Sequence, residues 1–179
     1  MSTRELRTAS SAELGADGLP ELRALMDAAF GTRFDDLDFD HCLGGTHVVL
    51  RLDGVVVAHA AVVPRRLLVG ERVLRCGYVE AVATHPDHQG QGLGTAVMDL
   101  ADELVRRCFD VGALSTSAHR FYERLGWSRW RGPTYVVRGG TWVRCRSEDG
   151  AVMVLPVRPS DPLDPGLPVA VDERPGDDW

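Results

Sequence analysis

Apolar positions change their period several times along the chain, and the changes divide it into helices and strands. Residues 4–9 are a candidate first strand. Across 17–30, Leu19, Leu22, Leu25, Met26, Ala29 and Phe30 form one helical stripe, with Asp17 as its N-cap. The acidic run Phe34-Asp35-Asp36-Leu37-Asp38-Phe39-Asp40 interrupts it. Residues 47–52, the turn Asp53-Gly54 and residues 55–63 predict a β-hairpin. Residues 67–69, the turn Gly70-Glu71 and the apolar run 73–83 predict a second. Leu93, Ala96, Val97, Leu100, Leu104 and Cys108 then return to helical spacing. A short strand at 110–115, a helix at 117–125 stopped by Gly126, and strands at 135–137 and 151–155 complete the pattern. The order predicts an α+β fold, a mixed α/β layer, in one domain spanning residues 1–179.

Composition narrows the picture. A 44% hydrophobic fraction over 179 residues suits one globular core. Met1-Ser2-Thr3-Arg4-Glu5 opens no secretory signal, and no run approaches the ~20 apolar residues of a membrane span, so the expected location is the cytoplasm. Cys42, Cys76, Cys108 and Cys145 form no Cys-x-x-Cys pair and are expected as buried reduced thiols. His85 and His88 flank Pro86 with no third ligand nearby, so no metal is expected. All 20 basic residues are arginine. The net charge of -6 is carried by residues 147–179, where eight acids meet only Arg158 and Arg174. That segment disfavours nucleic acid and favours a cationic partner. Its prolines at 156, 159, 162, 165, 168 and 175 leave a solvated, partly disordered terminus as the alternative.

The chemistry concentrates in Tyr78–Thr95, where a strand enters the loop Gln89-Gly90-Gln91-Gly92-Leu93-Gly94 and the loop enters a helix. Glycines let backbone N–H groups approach a phosphate, and a helix N-terminus adds partial positive charge. The spacing is not Gly-x-Gly-x-x-Gly, and a chain without lysine has no Walker loop. Glu80 lies inside the apolar strand two residues before Val82, so it points to the same face. A carboxylate there needs charge or water for company, which marks it as a candidate functional group.

Gln89-x-x-Gly92-x-Gly94 resembles the pyrophosphate loop of the GNAT N-acetyltransferase superfamily, and Phe121-Tyr122-x-x-x-Gly126-Trp127 resembles a second motif of that superfamily. His41–Gly45, Ala58–Val62, Arg65–Leu67, Leu74–Glu80, Gly112–Ser115 and Gly176–Trp179 are similar to the aminoglycoside 2'-N-acetyltransferases. The resemblance implies a mostly antiparallel mixed sheet flanked by helices, acetyl-CoA as donor without a metal, a cationic amino sugar as acceptor, and a homodimer. It implies that Val82 and Thr84 bind pantetheine through backbone groups, with the Val82 N–H facing the thioester carbonyl. Gln89, Gly90, Gly92, Gly94 and Thr95 would hold the diphosphate. Glu80 would bind the amine and assist as general base, and Tyr122 would protonate the leaving thiolate. Asp38, Ser115, Asp149, Asp177 and Trp179, the last with its carboxylate, match acceptor contacts, which makes 147–179 part of the substrate site. Arg33 stands where the family has an acid. That departure keeps open an acceptor bearing its own carboxylate, as kasugamycin does, beside the deoxystreptamine drugs. An envelope amino sugar and a CoA-binding module without catalysis are the other readings.

Overall fold

A computed structural model describes residues 3–158 and 160–179. Pro159, one of the tail prolines, lies outside the described residues. The chain forms two compact units, Met1–Val63 with Val79–Glu103 and Pro64–Tyr78 with Leu104–Trp179. The elements mix helices with a mixed sheet, the α+β class expected from the sequence.

In the first unit, β1 (Arg4–Ser10), β2 (Thr46–Leu52) and the opening half of β3 (Val55–Val69) form an antiparallel meander. The Asp53-Gly54 turn closes with φ of 49° and 84°, the two left-handed residues that fit a hairpin's twist. Helix α1 (Ser11–Phe30) packs Leu14, Leu22, Leu25 and Met26 against Val49, Val56 and Ala83. Its N-cap is Ser10, not Asp17. Ser10 and Glu13 form a reciprocal capping box, and the helix breaks only at Gly15 (φ 64°). The acidic run, left unassigned by its pattern, forms α2 (Asp36–Cys42), capped by Asp35 and Asp38.

The end of β4 (Arg72–Thr84) carries the main irregularity of this unit. Ala81 has φ of 49°, a left-handed backbone for a residue with a Cβ. One such residue breaks the two-residue alternation, so Glu80, Ala81 and Val82 are all half-buried. Regular alternation between Glu80 and Val82 is therefore interrupted at Ala81. Strand β4 ends in the glycine loop, which leads into α3 (Leu93–Cys108). The buried face of α3 is Leu93, Val97, Ala101 and Val105 with Met98 and Asp102. That face is rotated from the predicted one, because Leu100 and Leu104 are only half-buried and Cys108 is exposed.

In the second unit the strands run β6-β9-β5-β4-β3-β10-β7-β8. The strands not yet given are β5 (Val111–Ser115), β6 (Ser128–Arg129), β7 (Thr134–Arg138), β8 (Thr141–Arg144), β9 (Val152–Pro156) and β10 (Val169–Asp172). β4 with β5 and β10 with β7 are parallel pairs. Helix α4 (His119–Glu123) lies between β5 and β6. The tail is not a loose terminus: β10 sits between β3 and β7, and Val169 and Val171 are fully buried with Trp179 in one core. Its acids are also less free than their count implied. Asp149, Asp161, Asp172 and Asp178 pair with Arg144, Arg72, Arg66 and Arg138. Of the thiols, Cys42 and Cys76 are buried, whereas Cys145 is half-buried and Cys108 exposed. Among the described residues, no helix is long and apolar enough to cross a membrane.

The left-handed conformation at position 81 sets an expectation for stability. Ala81→Val should destabilise by about 1–3 kcal/mol, since a β-branched residue fits this region poorly. Ala81→Gly should change stability little, strain relief offsetting the added freedom of the unfolded chain. Urea unfolding of both variants checks this; equal midpoints for valine and glycine would mean that the backbone is not held left-handed.

Candidate active site

The site residues fall into two groups. In the first unit, the Glu80 side chain is 10% exposed and its carboxylate lies 4.0 Å from Nδ1 of His41, whose side chain is 8% exposed. Helix α2 brings His41 there from the stretch between α1 and β2. The sequence offered His41 only as part of a matching segment, with no role attached. Beside Glu80, Ala81 turns left-handed, and its carbonyl accepts a hydrogen bond from His59 Nδ1 at 2.8 Å. Val82 follows, half-buried.

The loop after β4 has the form its glycines predicted. Gly90 and Gly92 adopt φ of 73° and 77°, and a Cβ added at either would project into open space. That space is what a bound group would need, and a side chain on either glycine would occupy it. Helix α3 starts immediately after, and the first N–H groups of any helix have no partner within it. Thr95 is exposed in its first turn. Gln89 behaves differently from a simple phosphate hand: its Nε2 donates to the Thr84 carbonyl at 3.3 Å, tying the loop back to the strand. Asp38 is also partly occupied. Its Oδ2 accepts from the Asp35 N–H at 3.0 Å as half of the α2 cap. Arg33 is exposed, with Nε 3.4 Å from the Phe30 carbonyl.

In the second unit, Ser115 at the end of β5 donates to Oε2 of Glu148 at 2.5 Å. The two line an open groove with Ser117, His119 and Asp149. Asp149 has internal partners: Arg144 binds both its oxygens, and Thr134 donates to Oδ1 through N–H and hydroxyl. Arg144 first, and Thr134 after it, hold that carboxyl down to about 2. Glu148, with no role read from the sequence, is therefore the acid of this groove bonded to Ser115. Tyr122 on α4 is 8% exposed, edge-on to Phe121 and Trp127. Asp177 accepts from the Trp179 N–H at 3.3 Å, and its own carbonyl accepts from Arg174 Nε at 2.7 Å.

A strand broken at one left-handed residue, a glycine loop and a helix N-terminus form a recurrent arrangement. The profile of the Acetyltransferase (GNAT) family matches residues 17–127. The chain belongs to the GNAT family of acetyltransferases. It is 41% identical to an aminoglycoside 2'-N-acetyltransferase of Mycolicibacterium fortuitum over 177 residues, 97% of this chain and 91% of that protein. The fold is similar to that of a GNAT family N-acetyltransferase from Escherichia coli in complex with CoA. There the TM-score is 0.66 at 16% identity, covering 96% of this chain and 91% of the other. A GNAT family acetyltransferase from Brucella melitensis in complex with acetyl-CoA gives 0.60 at 20% identity, covering 94% and 95%. Both likenesses concern the fold. Family membership makes this chain an acetyl-CoA-dependent N-acetyltransferase. Among its described residues, no three His, Cys, Asp or Glu are grouped to hold a metal ion.

The interior of this acetyltransferase also holds two histidines, His47 and His59, 0% and 1% exposed. Burial pushes them down to about 4 and about 3. Both are neutral when folded at neutral pH and protonate near 6.5 once unfolded. Below about pH 6.5 the unfolded chain therefore binds more protons, and stability falls as pH drops from 7 toward 4. The slope is at most about 1.4 kcal/mol per pH unit per histidine. Urea unfolding at pH 7 and pH 5 should show a lower midpoint at pH 5, with a smaller difference in His47→Gln. An identical pH difference in that variant would remove His47 from the effect.

Proposed function

We propose that this acetyltransferase moves acetyl from acetyl-CoA to the 2'-amino group of an aminoglycoside by direct attack in a ternary complex, and so confers resistance. The supporting observation is the 41% identity over 97% of the chain to a protein of that activity. In this reading the chain works as one catalytic domain, in the cytoplasm, as a homodimer.

The division of labour follows from the chemistry. The attacking amine must lose a proton, the tetrahedral intermediate needs a donor for its oxyanion, and the thiolate leaves more readily when protonated. Glu80 binds the acceptor ammonium and assists deprotonation. Its low exposure beside His41 supports this, because a carboxylate shielded from water attracts an ammonium strongly. The Val82 N–H meets the thioester oxygen, and Val82 and Thr84 pair with the pantetheine arm. Gln89, Gly90, Gly92, Gly94 and Thr95 cradle the diphosphate, with Gln89 also bracing the loop. Tyr122 donates the proton to sulfur. Asp38, Ser115, Asp177 and Trp179 contribute to the acceptor site. Glu148 joins them, whereas Asp149 acts mainly through its hold on Arg144 and Thr134.

A second acceptor class is favoured by Arg33. An exposed guanidinium repels ammonium groups and pairs well with carboxylates. An aminoglycoside carrying an acidic group, such as kasugamycin, would suit it; deoxystreptamine drugs suit the remaining acids.

Acetyl-CoA turnover against an acceptor panel, with the acetylated position read by NMR, tests the assignment. Tobramycin should be acetylated at its 2'-amine, and modification elsewhere would refute the regiochemistry. Arg33→Asp should raise kcat/KM for tobramycin relative to kasugamycin; an unchanged ratio means that Arg33 does not select the acceptor.

Variants test the roles. Gly92→Val should abolish CoA binding in calorimetry. Glu80→Gln should lower kcat/KM about a hundredfold, most at low pH where free amine is scarce. Tyr122→Phe should lower kcat more than it changes acceptor KM. Unchanged kinetics in either of the last two would strike that residue from the mechanism.

A further inference from the structure

One buried polar chain in the first unit has no part in the reaction as described so far. It starts at the head of α1, where the Ser11 hydroxyl lies 2.6 Å from the Leu43 carbonyl and 2.8 Å from His47 Nε2. His47 Nδ1, on β2, lies 3.0 Å from His59 Nε2, on β3. His59 Nδ1 ends the chain on the Ala81 carbonyl of β4 at 2.8 Å. Both imidazoles are buried, so their hydrogen bonds are made within the protein or not at all.

Counting protons limits the arrangements open to this chain. Both ends are carbonyl oxygens, which only accept. Four contacts need four hydrogens, but one hydroxyl and two neutral imidazoles supply three. A fourth would require a buried imidazolium, which burial opposes at both rings. One contact is therefore left without a hydrogen. At the Ser11 end, a single rotating hydroxyl is shared between Leu43 and His47, and turning it absorbs the shortfall. At the Ala81 end nothing rotates, and a bare ring nitrogen 2.8 Å from a carbonyl oxygen would set two lone pairs against each other. The favoured arrangement puts hydrogens on His59 Nδ1 and His47 Nδ1, with the single Ser11 hydrogen turning between the Leu43 carbonyl and His47 Nε2.

The bond at the Ala81 end has a consequence for the next residue. The Ala81 carbonyl and the Val82 N–H belong to the same peptide unit. A trans peptide is planar, with its C=O and N–H pointing in opposite directions. Holding the carbonyl therefore aims the N–H. A hydrogen bond accepted by the oxygen also polarises the unit and strengthens its N–H as a donor. The same contact opposes relaxation of Ala81 from its left-handed backbone, a conformation unfavourable for a residue with a Cβ.

We infer that His59 is a positioning residue of acetyl transfer, gripping the Ala81 carbonyl so that the Val82 N–H stays aimed at the thioester oxygen, with His47 and Ser11 fixing the ring's tautomer. This rests on the reading that the Val82 N–H is the oxyanion donor. His59 acts through the backbone and does not touch the substrate.

Three substitutions in the full-length enzyme test it. In His59→Phe the ring remains without a donor. In His59→Asn the amide nitrogen takes the place of Nδ1 and reaches the carbonyl. In His59→Gln the amide nitrogen takes the place of Nε2 and does not. His59→Phe should lower kcat about tenfold or more, short of the roughly hundredfold to thousandfold cost of removing an oxyanion donor outright, while the KM for acetyl-CoA stays within about threefold. His59→Asn should recover most of kcat, and His59→Gln should not. Unchanged kcat in His59→Phe, or equal recovery by asparagine and glutamine, would overturn the inference. Because a variant at so buried a position can fail to fold, ¹⁵N NMR of the wild-type imidazoles provides a separate check. His59 must carry its proton on Nδ1; a proton on Nε2 overturns the proposal. Failure of the broader reading looks different. A wild type that acetylates no aminoglycoside removes the acceptor assignment, while the tautomer measurement still decides the role of His59.

Discussion

An alanine forced left-handed within a strand is the constraint from which the local geometry of the first unit's candidate site follows. A regular strand would continue the alternation of β4 through residue 84 and present Glu80 and Val82 alike. With Ala81 at φ 49°, three successive residues become half-buried, and the peptide between 81 and 82 is redirected. The left-handed cost must be met by the surroundings. They meet it with a histidine drawn from β3, braced by a second from β2 and by a serine at the head of a helix. Four elements of the first unit thus converge on one peptide group. The meander, α1 and β4 support one another through polar contacts as well as apolar packing.

Electrostatics is arranged differently in the second unit. A tail that looks strongly acidic in sequence spends half of its eight acids on arginines, so its field is weaker than its net charge suggests. What remains is selective. Glu148 faces a groove with Ser115, whereas Asp149 next to it is tied into the turn. A one-residue difference separates an acid held by Arg144 and Thr134 from one bonded to Ser115, and charge counting cannot see it.

The sequence revealed the features that depend on local chemistry. The Asp53-Gly54 hairpin, the strand–loop–helix around Gly90 and Gly92, and the stripe of α1 were readable because glycine placement and periodicity act over a few residues. Features that depend on distant partners were not readable. β10 lies among prolines, and its strand identity comes from β3 and β7 on either side. The buried face of α3 was misjudged because Asp102, an acid that pattern reading puts outside, lies inside. The position of Glu80 was argued from alternation that Ala81 breaks, and nothing about an alanine announces φ 49°. His59 appeared only as a letter within a matching segment; its meaning needs His47 and the Ala81 carbonyl beside it.

The place of β10 has a consequence for how the chain is made. Synthesis delivers β3, β4, β5, β7 and β9 well before residues 169–172, yet β10 lies between β3 and β7 and joins them. Until the ribosome has released that segment, both neighbours expose an unpaired edge, the kind of surface that templates aggregation. The first unit, by contrast, has all its residues by Glu103. Late in synthesis the nascent chain therefore has every residue of the first unit, while the sheet of the second still lacks β10. That interval is when a chaperone, or a stalled or truncated message, would most affect the yield of active enzyme.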